Sequence, residues 1–425
     1  MNQRNDVKDK VQRGGLNKWY QNNCKGTLEY ATGVGKSRCG VLAAAYIAQR
    51  IPNASILVIT PTQVIRDNAW KEEFKKWGFT KVWNNNVESV CIQTAYKYDS
   101  EQYDLVIADE IHNYIPLEEE YSYFKFFENN QVDRLLGLSA SIEEDIKEKL
   151  NTIAPIVDVI DVNKAVELGL VSPFKVFNIP VKLTDDELEE YKKADKTFNN
   201  TFPIFNRDLK FMFKCMKDPY MYKRHIIGYF NMNGHSSFEQ DEQFKLYKLY
   251  PYQCNKAMRR RKEILYSASN KMPLVKELSN LLDDKKGVIF SESSVFADEV
   301  GKGLGDICVV EHSKIKPAKK RRENIKKFQD GRTKVTRISA VRSLNEGANL
   351  NGVIWICIAS GTSKLLAFIQ RVGRSIRWVD GKTAFIIRLY VKGSQEEKWV
   401  QSSQEGYEIV DINNVNDLRK YLKVN

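Results

Sequence analysis

The chain has 425 residues, 42% of them hydrophobic and 28% charged, a balance that suits a globular protein of two or three domains. A surplus of 66 Lys/Arg over 54 Asp/Glu leaves +12, which favours a polyanionic partner, nucleic acid before membrane. No apolar run approaches the ~20 residues of a membrane helix, and the first fifteen residues lack the apolar core of a signal peptide. Seven scattered cysteines without a CxxC pair, and only four histidines, argue against a disulfide scaffold or zinc site and for a reducing, cytoplasmic setting.

In chain order, apolar runs at 27–30, 56–60, 87–94, 105–108 and 135–138 predict strands, with helices over 36–50 and 64–77 between them. Short apolar strands alternating with helices imply a parallel sheet covered on both faces, here a first α/β domain over 1–165. Residues 166–194 read as a connector punctuated by Pro173 and Pro180. It ends in a helix start where Thr184 and Glu187 have the spacing of a capping box. The block 195–270 has 14 Lys/Arg against 7 Asp/Glu, and 15 aromatics; it reads as a mostly helical insertion. The alternation resumes over 271–393, with strands expected at 288–290, 307–310, 335–338, 353–358 and 384–389 and helices at 319–329 and 364–376. The tail, 394–425, is polar and ends in a short amphipathic helix over 415–422. The fold class is therefore α/β: two parallel-sheet domains with a helical block between them.

The first chemical signal is LEYATGVGKSR, a strand followed by a glycine loop and a helix. Gly33 and Gly35 let backbone N–H groups approach phosphate oxygens, with Thr32 in the same loop. Lys36 can reach β- and γ-phosphates, and Ser37 can ligate Mg²⁺. Tyr30 stands where G-x-x-x-x-G-K-S/T has its first glycine. The second signal is YDLVIADEIHN, in which a strand delivers Asp109 and Glu110. Asp109 is the candidate Mg²⁺ holder and Glu110 the candidate base that orients the attacking water. Elsewhere a DE pair after a strand is often only a helix cap.

These residues resemble the motifs of superfamily 2 helicases and translocases, the DEAD/DEAH-like group with two RecA-like domains. ATGVGKS is similar to their motif I, ITPT at 59–62 to motif Ia, DEIH to motif II and LSASI at 138–142 to motif III. LNEGANL at 344–350 is similar to motif V, with Asn349 where many members carry Asp. QRVGRSIR at 370–377 fits motif VI, Q-x-x-G-R-x-x-R. The compact arrangement and the LTDDELEEY connector look most like phage and bacterial branched-DNA helicases.

The resemblance implies an ATP- and Mg²⁺-dependent enzyme with its site between two domains. It makes Gln370, Arg374 and Arg377 catalytic from the second domain, where guanidinium groups suit charge on a transferring phosphoryl group. It makes Gln12 the reader of adenine, with Gln3 a competitor and an ordinary surface glutamine the alternative. Asn349 joins the nucleotide contacts, and His112, Ser139 and Ser141 couple the site to movement. Thr62, Thr94, Ser343 and Gly347 would present hydroxyls and amides to a strand's phosphates. Arg259, Arg260 and Arg261, with neighbouring aromatics, are the insertion's candidates for the same partner; an internal aromatic core is the competing reading. The expected partner is DNA, single-stranded or branched, bound by a monomeric core that could take protein partners in replication, recombination or repair. An RNA helicase, the motor subunit of a restriction or remodelling assembly, and a nucleic-acid-binding regulator with an inactive ATPase are the alternatives.

Overall fold

The computed structural model describes residues 2–61, 69–115, 123–232, 244–245, 247–341, 350, 352–360, 383–402 and 408–422. The chain opens with helix α1 (Asn2–Gln21), then β1 (Lys25–Tyr30), α2 (Lys36–Arg50), β2 (Ile56–Thr60) and β3 (Val87–Cys91). Strands β5 (Leu105–Asp109), β7 (Leu135–Ser139) and β8 (Ile156–Ile160) follow, with β4 (Gln102–Tyr103) and β6 (Gln131–Val132) forming a separate two-strand ladder. The main sheet is parallel throughout, in the order β3-β2-β5-β7-β1-β8. Every residue of β2, β5 and β7 is buried, because helices cover both faces. Alternate residues serve opposite cores: Ile56, Val58, Leu105 and Ile107 on one face, Leu57, Ile59, Val106 and Ala108 on the other.

The second sheet has seven parallel strands: β9 (Phe174–Val181), β10 (Lys286–Ser291), β11 (Cys308–Glu311), β12 (Arg337–Val341), β13 (Val353–Ile358), β14 (Ala384–Val391) and β15 (Ile409–Asp411). Their order is β11-β12-β10-β13-β14-β9-β15. Two strands come from outside the segment expected to build this sheet: β9 from the connector and β15 from the tail. The tail is fastened further by a fully buried ion pair. Lys271 Nζ donates to both Glu396 carboxylate oxygens at 3.0 Å and to Leu265 O at 2.7 Å.

Helices Asp185–Thr201, Leu209–Lys217, Pro219–Met232 and Tyr250–Tyr266 follow β9 and precede β10, so the block expected between the two sheet domains is inserted within the chain of the second sheet. Thr184 and Glu187 make the expected reciprocal capping box. The block has its own core of Phe205, Met212, Cys215, Tyr222, Ile226 and Cys254. Contacts Glu187–Ser269, Asp195–Arg261 and Thr201–Cys254 run in opposite chain directions, so the first and last of these helices pack antiparallel.

Several expected bounds shift. The strand expected over 87–94 ends at Cys91, and Ile92–Ala95 is a helical turn. The strand expected at 335–338 starts at Arg337, and the helix expected over 415–422 spans Val415–Leu418. The helix expected over 364–376 lies outside the described residues, and of 64–77 the described part is helical over Trp70–Lys76. No helix among the described residues is long and apolar enough to cross a membrane.

Candidate nucleotide site

The carboxyl end of β1 leads into the glycine loop. Gly33 and Gly35 take φ of +99° and +100°, values that side-chain-bearing residues rarely adopt. Gly35 is also the left-handed residue from which α2 starts, so Lys36 and Ser37 occupy its first turn. The positive end of the helix dipole and consecutive amides converge there, the arrangement that binds phosphate. Lys36 is buried, its Nζ donating to Tyr30 O at 2.8 Å. Tyr30 is the last residue of β1 rather than part of the loop. Its ring is enclosed and its hydroxyl donates to Asp158 Oδ2 at 2.6 Å; burial first, and then that hydrogen bond, push the phenol pKa well up.

Helix α1 lies behind the loop. Lys8 Nζ donates to Gly33 O at 2.9 Å and Gln12 Nε2 to Val34 O at 2.7 Å. The Gln12 carboxamide oxygen accepts from Arg38 Nη1, and Gln12 has no exposed surface. Arg38 also meets Asp9 at 2.5 Å and lies 4.4 Å above the Trp77 ring. Burial pulls the Asp9 carboxyl upward, but hydrogen bonds from Arg38 and Arg13 outweigh it and hold the group below its ordinary value.

The acidic side comes from β5. Asp109 is buried at its end, and Trp70 Nε1 donates to its Oδ2 at 3.2 Å. The Tyr114 hydroxyl shares its one hydrogen between the Asp109 carbonyl and Ile59 O, pinning the turn that follows. Glu110 sits in left-handed backbone at φ 53°, a conformation that costs on the order of 1–3 kcal/mol for a side-chain-bearing residue. His112 Nδ1 lies 2.7 Å from Ser139 Oγ and 3.6 Å from Glu110 Oε2. The Ser139 hydroxyl has one hydrogen and donates it to Ser141 O at 2.9 Å. It therefore accepts from His112, which assigns the proton to Nδ1. Ser141 joins this chain through its carbonyl.

Lys36 follows β1, Ser139 ends β7 and Asp109 ends β5, and these three strands are adjacent in the sheet. The sheet thus brings together the phosphate loop, the candidate Mg²⁺ carboxylate and the candidate coupling residues at the carboxyl ends of its central strands. Ser37 on α2 and Asp109 on β5 are the residues that fit Mg²⁺, which commonly takes only one or two protein oxygens and completes its shell with phosphate and water. Thr94 is exposed in the turn after β3. Thr62, Ser343, Gly347, Asn349, Gln370, Arg374 and Arg377 lie outside the described residues.

In the insertion, Arg259 and Arg260 are both exposed, and Arg260 pairs at the surface with Glu190 and Glu263. Arg261 Nε lies 2.9 Å from Asp195 and its guanidinium 4.5 Å over the Phe198 ring. The latter two arginines therefore hold helices together, a role the sequence run did not separate from that of Arg259. Sequence reasoning also missed Trp70, Lys8 and Arg38. The four-residue spacing of Lys8 and Gln12 is a one-face signal on a helix; Trp70 reaches Asp109 through tertiary folding and leaves no local trace.

Residues 4–144 match the family described as type III restriction enzyme, res subunit, and residues 270–379 match the helicase conserved C-terminal domain. No curated protein sequence matches the chain. Among solved structures, the fold is similar to the Pyrococcus furiosus Hef helicase domain at 15% identity and TM-score 0.56, covering 93% of this chain and 98% of that one. It is also similar to S. cerevisiae Dbp5 bound to RNA and ADP BeF3 at 13% identity and TM-score 0.58, covering 97% and 92%. The two sheets are thus tandem RecA-like domains.

Proposed function

We propose that this chain, whose matches to helicase-type domains support an ATP-hydrolysing nucleic-acid motor of superfamily 2, is a helicase or translocase that works on DNA, branched DNA in particular. The observation that carries the motor reading is that Asp109 and Ser139 end β5 and β7 while Lys36 opens the helix that follows the adjacent β1. In the proposed cycle Lys36 exchanges the Tyr30 carbonyl for the β- and γ-phosphates. Ser37 and Asp109 would hold Mg²⁺, which when bound would neutralise charge on the phosphate oxygens. Glu110 orients the attacking water and accepts its proton as the bond to the γ-phosphorus forms and the bond to ADP breaks. Gln370, Arg374 and Arg377 complete the site from the second domain, and Asn349 adds a nucleotide contact. Closure of the domains then requires nucleotide, and reopening follows phosphate release. Thr62, Thr94, Ser343 and Gly347 grip the strand by its phosphates, independent of sequence.

DNA is favoured by the DEIH sequence, by the connector's resemblance to branched-DNA helicases and by the basic insertion. A second reading, an RNA substrate, draws on the likeness to Dbp5 bound to RNA. Hydrolysis and unwinding measured in parallel on single-stranded DNA, RNA, forks and four-way junctions separate them. Strongest stimulation by forks or junctions supports the proposal; stimulation by RNA alone replaces it, and binding without hydrolysis leaves a regulator.

A further inference from the structure

We propose that Glu29 is a positioning residue for the coupling of hydrolysis to movement: from the strand that carries the phosphate loop it holds the same peptide group that Ser139 holds from the other side. This rests on the motor reading above and extends it to a residue outside ATGVGKS and LSASI.

Glu29 stands one residue before the end of β1, opposite Ser139 of β7, and is half-buried. Leu28 and Tyr30 turn to one core of the first domain. Glu29 turns to the other face, whose core includes Ile111, Ile142 and Ile146. A carboxylate is costly there. Burial raises its pKa above the ordinary carboxylate value, against the pull of the Ile142 N–H and of Lys147. Lys147 itself donates to Glu144 at 2.6 Å. Among the described residues, the hydrogen bond that Glu29 Oε1 accepts is from the Ile142 N–H, at 2.9 Å. An apolar residue would serve packing; what the carboxylate adds is this acceptor.

The Ser141 carbonyl and the Ile142 N–H belong to one trans peptide, so they point opposite ways. Ser139 Oγ donates to the carbonyl at 2.9 Å, and Glu29 takes the N–H. Side chains thus hold both polar atoms of this peptide, and its plane cannot rotate without giving up both bonds. Ser139 leads through His112 to Glu110. Glu29 leads to the phosphate loop by a shorter path, because the carbonyl that Lys36 holds at 2.8 Å is that of Tyr30, the next residue. Exchange of that carbonyl for phosphate frees the backbone beside Glu29. Occupancy of the loop and the charge of the water-orienting carboxylate therefore converge on the Ser141–Ile142 peptide, just before the helix Glu144–Asn151.

The test compares the full chain with Glu29→Met, Glu29→Gln, Ser139→Ala and the double variant Glu29→Met/Ser139→Ala. ATP hydrolysis and strand separation are measured on one forked DNA. Met removes the acceptor at similar size; Gln keeps an acceptor oxygen without the charge. In Glu29→Met, stimulated hydrolysis should stay within a few-fold of wild type and KM for ATP should not move, while strand separated per ATP falls about tenfold, inside the usual range of coupling between sites. Glu29→Gln should restore most of that loss. The double variant should lose about as much as either single variant, because both act on one peptide; independent contributions would multiply to about a hundredfold. Wild-type coupling in Glu29→Met, an equal loss in Glu29→Gln, or multiplied losses in the double variant overturns the inference. Should Glu29→Met fail to fold, Glu29→Asp carries the test, since it keeps the charge and withdraws the oxygen by one methylene. The same split between hydrolysis and strand separation is then expected, and wild-type coupling overturns the assignment. A wild-type chain that hydrolyses no ATP on any strand defeats the motor reading instead, an outcome visible before any variant is made.

Discussion

Nδ1 of His112 and the hydroxyl of Ser139 lie 2.7 Å apart, joining the turn after β5 to the end of β7. The same ring nitrogen faces Glu110 at 3.6 Å, so one imidazole stands between the proposed water-orienting carboxylate and the serine that holds the Ser141 carbonyl. If Glu110 orients the water as proposed, a change in its charge during hydrolysis would alter the hydrogen bond at Nδ1, and through Ser139 the backbone at Ser141. Removing the hydroxyl breaks this relay without touching the phosphate loop. Ser139→Ala should leave stimulated hydrolysis within a few-fold of wild type while unwinding falls by roughly tenfold, a coupling loss of about 1.4 kcal/mol. Both rates are measured on the same fork; a parallel fall in the two would place Ser139 in the chemistry.

Glu110 occupies left-handed backbone, and its turn is held by Tyr114 across two strands. Such strain persists only where the surroundings over-determine it, as at sites that position a reacting group. Glu110→Gln keeps size and hydrogen bonding and removes the proton acceptor. Stimulated turnover should drop by about 10²–10⁴-fold with nucleotide affinity retained. Turnover equal to wild type would remove the assignment.

Trp70 donates to Asp109 from outside the motif. An outer hydrogen bond that orients a metal-holding carboxylate typically matters by about 10–100-fold in metal affinity. Trp70→Phe should raise the Mg²⁺ concentration for half-maximal hydrolysis by that order, with kcat at saturating Mg²⁺ little changed. An unchanged Mg²⁺ curve would show that the indole serves packing alone.

Legibility followed locality. The loop, its lysine and the DE pair announce themselves because a strand, a turn and a helix start are each encoded within a few residues. β9 did not, because Pro180 within FKVFNIPV argues against an interior strand. The structure resolves the conflict: β15 pairs only with Val176, Phe177 and Asn178, so at Pro180 one side of β9 is an open edge and the missing N–H costs no ladder bond. β15 is three residues long, too short for a periodicity signal. The links from Arg38 to Gln12 and from Trp70 to Asp109 span 26 and 39 residues and exist only once the sheet is assembled.

The second-domain arginines supply the test of a shared site. An arginine that neutralises charge on a transferring phosphoryl group is worth about 10³–10⁵ in turnover. Arg374→Ala should lose at least the lower figure while ATP still binds through the first-domain loop. A loss of under tenfold would leave Arg374 as a surface cation and the two domains without a shared transition state.

The insertion divides its arginines by what they touch. Arg261 is mostly buried, packed over Phe198 and beside Asp195, and Arg260 meets Glu190 and Glu263; both join the first and last helices of the block. Arg259, one position earlier, is exposed. Replacing Arg261 by Ala leaves the Asp195 carboxylate without its cation and removes a stacked contact, so the melting temperature should fall. Replacing Arg259 should leave melting unchanged, weaken binding to any strand regardless of sequence, and reduce the slope of log K against log salt by about one. The two variants are compared by thermal melting and by binding at several salt concentrations. A flattened salt slope in Arg261→Ala with normal melting would reverse the assignment. Unchanged binding in Arg259→Ala would move the strand contact off this helix, because a neutralised phosphate must register in the salt dependence whatever else holds the strand.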